Sequence, residues 1–326
     1  MQRIVNASLA PRYRALALLF SLLGAGLAGC DSAERGNSGA TDLEAGKPAV
    51  VATSTIIADW ADQIGGDQIA LTSILQPGAD PHVYEPVPAD SVAFERADLI
   101  LYNGYNLEPG LIRLLNAAGA NAQRLAVGEV VPPLALEDNG RTVPDPHVWG
   151  DVSNGVPMVE AIRDALIELD PDQAEIYRAN AATYIEELTL LHDWIGAQTA
   201  TIPPNQRQLV TTHDAFQYYA NAYGLTVAGT LIGLSTEEQP SAQTVQQLVA
   251  TIRHLGVPAI FAETTINPQL IRTVAQEAGV ILADQELYAD SIGEPGSEGD
   301  GYLRLMVANT HTIVINLGGT VSEPSP

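Results

Sequence analysis

The chain has 326 residues, 46% of them hydrophobic, which is enough material for two globular domains. Lys and Arg number 15 against 39 Asp and Glu, a formal net charge of −24. A surface this acidic repels phosphate backbones and argues against nucleic acid as a partner. The single cysteine excludes an intramolecular disulfide and any multi-cysteine metal site.

The first residues carry Arg3, Arg12 and Arg14, then an apolar run from Ala15 to Leu23, then small residues up to Gly29. A basic start, a short apolar run and small residues before a cut are the pattern of a signal peptide, here residues 1–29. The run is short for a membrane span, and no later segment reaches about 18 apolar residues. Leu27-Ala28-Gly29-Cys30 resembles the bacterial lipobox. That resemblance implies cleavage before Cys30, lipid on Cys30, and attachment to a membrane without spanning it. An ordinary signal peptide with a chance cysteine is the alternative, but the one cysteine stands where the lipobox needs it. Residues 30–48, rich in Gly, Ser, Ala and acid, then read as a flexible tether.

A first strand is predicted over Pro48 to Thr53, with further strands at Ile69 to Leu75 and Leu99 to Tyr102. Helices are expected from Ser54 to Ile64 and from Asp90 to Arg96. Alternation of this kind predicts an α/β lobe, residues 49–169, with a mainly parallel sheet. Asp151 to Leu169 is helical in pattern. Asp170-Pro171-Asp172-Gln173 then offers an N-cap, a proline at the first helical position and a capping-box partner. The helix that follows runs to about Thr199, with Ile185, Leu188, Leu191 and Ile195 on one stripe. At 1.5 Å per residue such a helix is about 40 Å long, enough to join two lobes. Residues 170–202 are therefore expected to be a linker helix, ended by Pro203-Pro204.

The alternation restarts over residues 203–326. Strands are predicted at Gln208 to Thr212, Val227 to Ile232 and Ala259 to Ala262. Helices are predicted at Ala215 to Tyr223, Ala242 to His254, Pro268 to Ala278 and Tyr302 to Asn316. The expected fold is α/β: two similar lobes with mainly parallel sheets joined by one long rigid helix.

Six histidines stand at positions 82, 147, 192, 213, 254 and 311. His82 and His147 each close an Asp-Pro-His sequence, and His213 follows the strand Leu209-Val210-Thr211-Thr212. Loops after strands of open α/β sheets are where ligands bind, and imidazoles from such loops suit zinc, manganese or iron. The prolines stiffen both loops, and Asp80 and Asp145 are placed to accept a second ring N–H. On spacing alone a solvated or capping histidine is an equal reading for His82 and His147. His192, His254 and His311 lie within predicted helices and read as structural.

Several segments together resemble the substrate-binding lipoproteins of bacterial zinc/manganese ABC importers. They are Val51 to Trp60, Gly78-Ala79-Asp80-Pro81-His82-Val83-Tyr84-Glu85-Pro86 and Ala97 to Gly104. Asp145-Pro146-His147-Val148-Trp149, Thr212 to Phe216, Tyr288 to Gly293 and Gly299 to Tyr302 continue the series. The resemblance extends from about Val50 to Gly318. It implies a single metal site in the cleft between the lobes. His82 and His147 would come from the N-terminal lobe, and His213 and Asp290 from the C-terminal lobe. Asp290 is named by the resemblance alone. A histidine at position 213 leans toward zinc. The absence of any histidine from Val83 to Pro146, where many zinc-specific members carry a His-rich loop, leans away from it. Zinc and manganese stay level, with iron behind.

The expected function is capture of the metal outside the cytoplasmic membrane, in the periplasm or at the cell surface, by a non-enzymatic monomer. The partner is an ABC-importer permease. Affinity should fall as pH drops through about 6.5, where histidine protonates. A secreted zinc hydrolase is one rival, with Glu263 as the nearest plausible base, although no His-Glu-x-x-His motif is present. A surface adhesin is the other, without a motif of its own. Cys30→Ala should leave the protein uncleaved or release it from membranes while metal binding persists; an intact mass showing unmodified Cys30 inside a longer chain would refute the anchor.

Overall fold

The computed structural model describes residues 46–117, 121–138 and 140–322, so the signal peptide and Cys30 lie outside the described residues. Four parallel strands form the first sheet: β1 (Ala49–Ala52), β2 (Ala70–Ser73), β3 (Leu99–Tyr102) and β4 (Gln123–Ala126), in the order β2-β1-β3-β4. The crossovers carry α1 (Thr55–Gly65), α2 (Pro88–Arg96) and α3 (Pro109–Ala117). Ser54 caps α1, its hydroxyl accepting the Ile57 N–H. The central strand β1 is buried along its whole length, as expected for a strand with helices on both faces. An antiparallel hairpin, β5 (Ala135–Asp138) and β6 (Arg141–Pro144), follows and had no counterpart among the predicted elements.

Helix α4 (Val152–Leu169) leads to α5 (Ala174–Thr199), 26 residues and about 39 Å long. The predicted entry to α5 is corrected in detail. Pro171–Gln173 form a 3₁₀ turn closed by the Gln173 N–H on the Asp170 carbonyl, and the Asp170 side chain makes no cap bond. The buried residues of α5 are Tyr177, Ala181, Tyr184, Leu188, Leu191, Ile195, Gln198 and Thr199, the first seven spaced alternately by four and three. That stripe runs the full helix and includes three of the four residues expected, Leu188, Leu191 and Ile195, whereas Ile185 is only partly buried beside it. Helices α1, α4 and, from the other end of the chain, α9 (Tyr302–Asn316) pack on it.

The second lobe pairs β7 (Gln208–Thr211) with β8 (Thr226–Thr230), and β9 (Ala259–Ile260) with β10 (Ile281–Leu282), all parallel. The Phe261 N–H bonds the Val210 carbonyl and ties the two pairs together. Helices α6 (Gln217–Tyr223), α7 (Ala242–Leu255) and α8 (Gln269–Ala278) complete it, α7 and α8 around a local core that includes Val210, Ile252, Ile260 and Ile271. The main core is shared: Trp60 and Leu101 of the first lobe, Leu188 of α5, and Phe261 and Leu305 of the second half belong to one buried cluster. The architecture is the expected one, two α/β lobes about a long helix, but the helix is built into the common core. No described helix is long and apolar enough to cross a membrane.

Leu188 on α5 is fully buried and Leu190 is 54% exposed. Leu188→Ala should therefore cost about 2–5 kcal/mol in denaturant unfolding, and Leu190→Ala within about 0.5 kcal/mol. Equal effects would mean that α5 does not bury the stripe described.

Candidate metal site

Two loops use the same local device. In Asp80-Pro81-His82 the Asp80 Oδ1 accepts the His82 backbone N–H at 2.9 Å. In Asp145-Pro146-His147 the Asp145 Oδ1 accepts the His147 backbone N–H at 3.0 Å. Each is an Asx turn with proline at its centre, so the histidine leaves a loop that has few other conformations. The His82 loop follows β2 across Gly78, which has a φ of +78° that a side chain would disfavour. Gly110 at the start of α3 lets that helix approach the same loop, since a Cβ there would lie 2.5 Å from the Tyr84 carbonyl oxygen. The His147 loop is delivered by the β5–β6 hairpin and is held by Asn103, whose side-chain amide donates to the Pro146 carbonyl at 3.0 Å. Tyr218 of α6 adds a second bond, donating to the Asp145 carbonyl at 3.0 Å.

His213 lies two residues beyond β7. Glu263, just past β9, holds it completely: Oε1 accepts the N–H groups of Thr212 (2.8 Å) and His213 (2.9 Å), and Oε2 pairs with the His213 Nδ1. Asp290 sits in the segment between β10 and α9.

The structure brings His82, His147, His213 and Asp290 to one buried point, with one ligand atom of each within 4.8 Å of all the others. The Nε2 atoms of His82 and His147 are 3.3 Å apart. Asp290 Oδ1 lies 3.4 Å from His147 Nε2, and Oδ2 lies 3.2 Å from His213 Nε2 and 3.9 Å from His82 Nε2. Donors set tetrahedrally at about 2.1 Å around an ion would be about 3.4 Å from one another. Both Asp290 oxygens and the His213 Nε2 are buried without a hydrogen-bond partner. Buried polar atoms left in that state need a counterpart, and a cation at their centre would satisfy all of them at once.

The imidazoles are oriented from behind. Asp145 Oδ1 lies 2.7 Å from the His147 Nδ1 and Glu263 does the same service for His213, so when either ring is neutral its hydrogen sits on Nδ1 and the Nε2 lone pair turns inward. Asp145 thus acts as expected. Asp80 does not: it accepts the backbone N–H of His82 and the ring lies beyond it, at the edge of the cleft. His82 is 6% exposed and lines a cavity of about 310 Å³ whose wall includes Glu85, Arg113, Leu234 and Glu237.

Charge follows the same geometry. Burial holds the His82 imidazole down to about 3, with the other two histidines adding to the effect against the attraction of Asp290. For His213 burial also works downward, but the carboxylates of Glu263 and Asp290 outweigh it and hold the ring well above its ordinary value. Burial pushes the Asp290 carboxyl up, and the surrounding imidazoles, His213 foremost, bring it below the usual range. Glu108 beneath the site accepts from Asn103 N–H (2.7 Å) and Thr53 Oγ1–H (2.8 Å), yet burial still raises it to about 7.

The other three histidines lie elsewhere. His192 on α5 sits 3.1 Å from the Tyr223 hydroxyl and 3.5 Å from Asp151, and His254 and His311 are exposed on α7 and α9. Asn103, Glu108 and Tyr218 had no chemical signal in the sequence, since nothing in a linear reading brings them beside Pro146 or Asp145.

The family model described as "Zinc-uptake complex component A periplasmic" matches residues 50–315. The manganese-binding lipoprotein MntA of Halalkalibacterium halodurans is 37% identical over 291 residues, 89% of this chain and 94% of that protein. Among solved structures, the periplasmic zinc-binding protein TroA of Treponema pallidum superposes with a TM-score of 0.79 at 33% identity, covering 83% of this chain and 99% of that one. The Fe(III)-bound YtgA of Chlamydia trachomatis gives 0.76 at 28% identity, covering 85% and 100%. The resemblance read from the motifs is therefore borne out along nearly the whole described chain, and this protein belongs to the zinc-uptake complex component A family.

Proposed function

We propose that this chain captures one divalent transition metal ion, zinc or manganese, outside the cytoplasmic membrane and delivers it to the permease of an ABC importer. His82, His147, His213 and Asp290 are the ligands in this reading. The single observation that carries it is the buried convergence of three imidazole nitrogens on a carboxylate that has no hydrogen-bond donor. Relatives named as manganese-binding and zinc-binding proteins support the choice of cargo. The ligand set spans both metals for a physical reason. Three imidazoles suit zinc, while Asp290 presents both oxygens to the histidines and offers the fifth donor atom that a larger, harder ion accepts. The cavity beside His82, with Glu85 and Glu237 in its wall, is the route by which the ion enters. Residues 49–169 and 203–326 act as the two jaws and 170–202 as their spine, with lipid on Cys30 keeping the assembly at the membrane.

The hydrolase reading is weaker on a specific ground. Glu263, the nearest candidate base, has its oxygens committed to Thr212 and His213. Its role in this arrangement is to orient a ligand. Four protein side chains around one centre serve capture and release better than an open catalytic position.

Alanine at His82, His147 or His213 should weaken zinc and manganese binding by an order of magnitude or more in titration calorimetry. His192→Ala should bind like the parent. An unchanged His213→Ala beside a crippled His192→Ala would show the ligand assignment to be wrong.

The pH dependence departs from that of an ordinary histidine. Burial holds His82 down to about 3, while the carboxylates of Glu263 and Asp290 hold metal-free His213 well above the ordinary histidine value. Metal competes with a proton on the His213 Nε2, so affinity should begin to fall at a higher pH than for an ordinary histidine, toward a limiting tenfold per unit. Calorimetry in buffers of different protonation heat should find protons released as metal binds, increasingly so as the pH is lowered toward the histidine range. Affinity independent of pH between about 6 and 8 would contradict this.

A further inference from the structure

Asp290 comes from the C-terminal half of the chain, yet the peptide that carries it is bonded on both sides to the N-terminal lobe. Upstream, the Trp149 indole N–H donates to the Ala289 carbonyl at 3.0 Å. Downstream, the Ser291 Oγ lies 3.0 Å from the Thr55 Oγ1 and accepts the Gly78 N–H at 2.8 Å. The Ile292 N–H donates to the Thr55 Oγ1 at 3.1 Å, and the Ser291 hydroxyl reaches the Ile292 carbonyl at 3.1 Å. Thr55 opens α1, and Gly78 begins the loop that ends in His82.

One placement of the hydroxyl hydrogens satisfies the whole cluster. Thr55 donates to Ser291, Ser291 donates to the Ile292 carbonyl, and each oxygen still accepts a backbone N–H. Both side chains are buried, Thr55 at 3% and Ser291 at 0% exposure, so water cannot replace a missing partner at low cost. His213 is attached differently, since its backbone and ring bonds to Glu263 stay within the C-terminal lobe.

We propose that the Thr55–Ser291 hydroxyl pair is the positioning element that seats Asp290 against the N-terminal lobe and thereby sets how long the metal stays bound. His82, His147 and Asp290 then form one half-site on a common support, and His213 with Glu263 forms the other. This rests on the metal-capture reading above. Thr55 and Ser291 touch no metal themselves; they act by fixing a carboxylate whose placement must hold to a fraction of an ångström.

The test uses cobalt(II) as the probe, because its ligand-field absorption reports the site directly. Cobalt-loaded protein is mixed with excess EDTA and the loss of the band is timed, while thermal unfolding of each metal-free protein reports the fold. Thr55→Val and Ser291→Ala should each release cobalt on the order of tenfold faster than the parent, whereas Thr55→Ser, which keeps the hydroxyl, should stay within about twofold. If Thr55→Val does not fold, the Ser291→Ala rate decides the matter. Parental release from Ser291→Ala, or release from Thr55→Ser as fast as from a folded Thr55→Val, would overturn the proposal. A parent that takes up no cobalt, zinc or manganese would overturn the capture reading itself and this inference with it.

Discussion

A carboxylate with no donor of its own, facing three imidazoles in a place closed to water, is the interaction on which the rest of the structure depends. Asp290 is 1% exposed and both its oxygens lack a hydrogen-bond partner. Burying a charge in that way is costly unless an opposite charge joins it. His213, held above its ordinary value by Glu263 and Asp290, supplies part of that charge whenever it is protonated. A divalent ion would supply more, and would use the Nε2 lone pairs that Asp145 and Glu263 turn inward from behind.

Such an arrangement lasts only on a scaffold that cannot relax it away. The inter-lobe contacts provide one. Trp60 of α1 meets Tyr302 of α9 edge to face with ring centroids 4.9 Å apart, and the Tyr302 hydroxyl donates to the Trp149 carbonyl at 2.6 Å. Asp59 of α1 accepts the Tyr302 N–H at 3.0 Å. Helices α1 and α9 are thereby fastened to one another over α5. The helix is a member of the core, and its alternate spacing of four and three keeps one stripe facing inward along its whole length.

The stiffness also bears on selectivity. A cage that cannot contract or expand freely discriminates by size and coordination number, whereas affinity alone follows the general order of the metals. Here the separations from Asp290 to the three histidines and between His82 and His147 run unevenly from 3.2 to 3.9 Å, and the carboxylate straddles the histidines. That shape accommodates either four donors or five, which is why a histidine at position 213 does not by itself commit the site to zinc.

Much of this was legible in the sequence. β3 and α9 fall where periodicity puts them, because long or fully apolar segments announce their own burial. The Asp-Pro-His pair marked two of the candidate ligands, since proline and an Asx turn act through bonds within three residues. His213 was marked by the strand before it. Asp290 was visible only through likeness to a family, one acid among 39 in Asp and Glu. β9 falls inside the strand expected at Ala259 to Ala262, whereas β10, only two residues long, had no counterpart among the predicted elements. Tertiary structure alone decided that Glu263 holds His213, that Asn103 holds the His147 loop, and that Thr55 meets Ser291 across 236 positions of chain. The reason is one of range: the sequence determines bonds between near neighbours and the faces that must be buried, whereas a bond between distant polar groups exists only where the packing of those faces brings its two ends together.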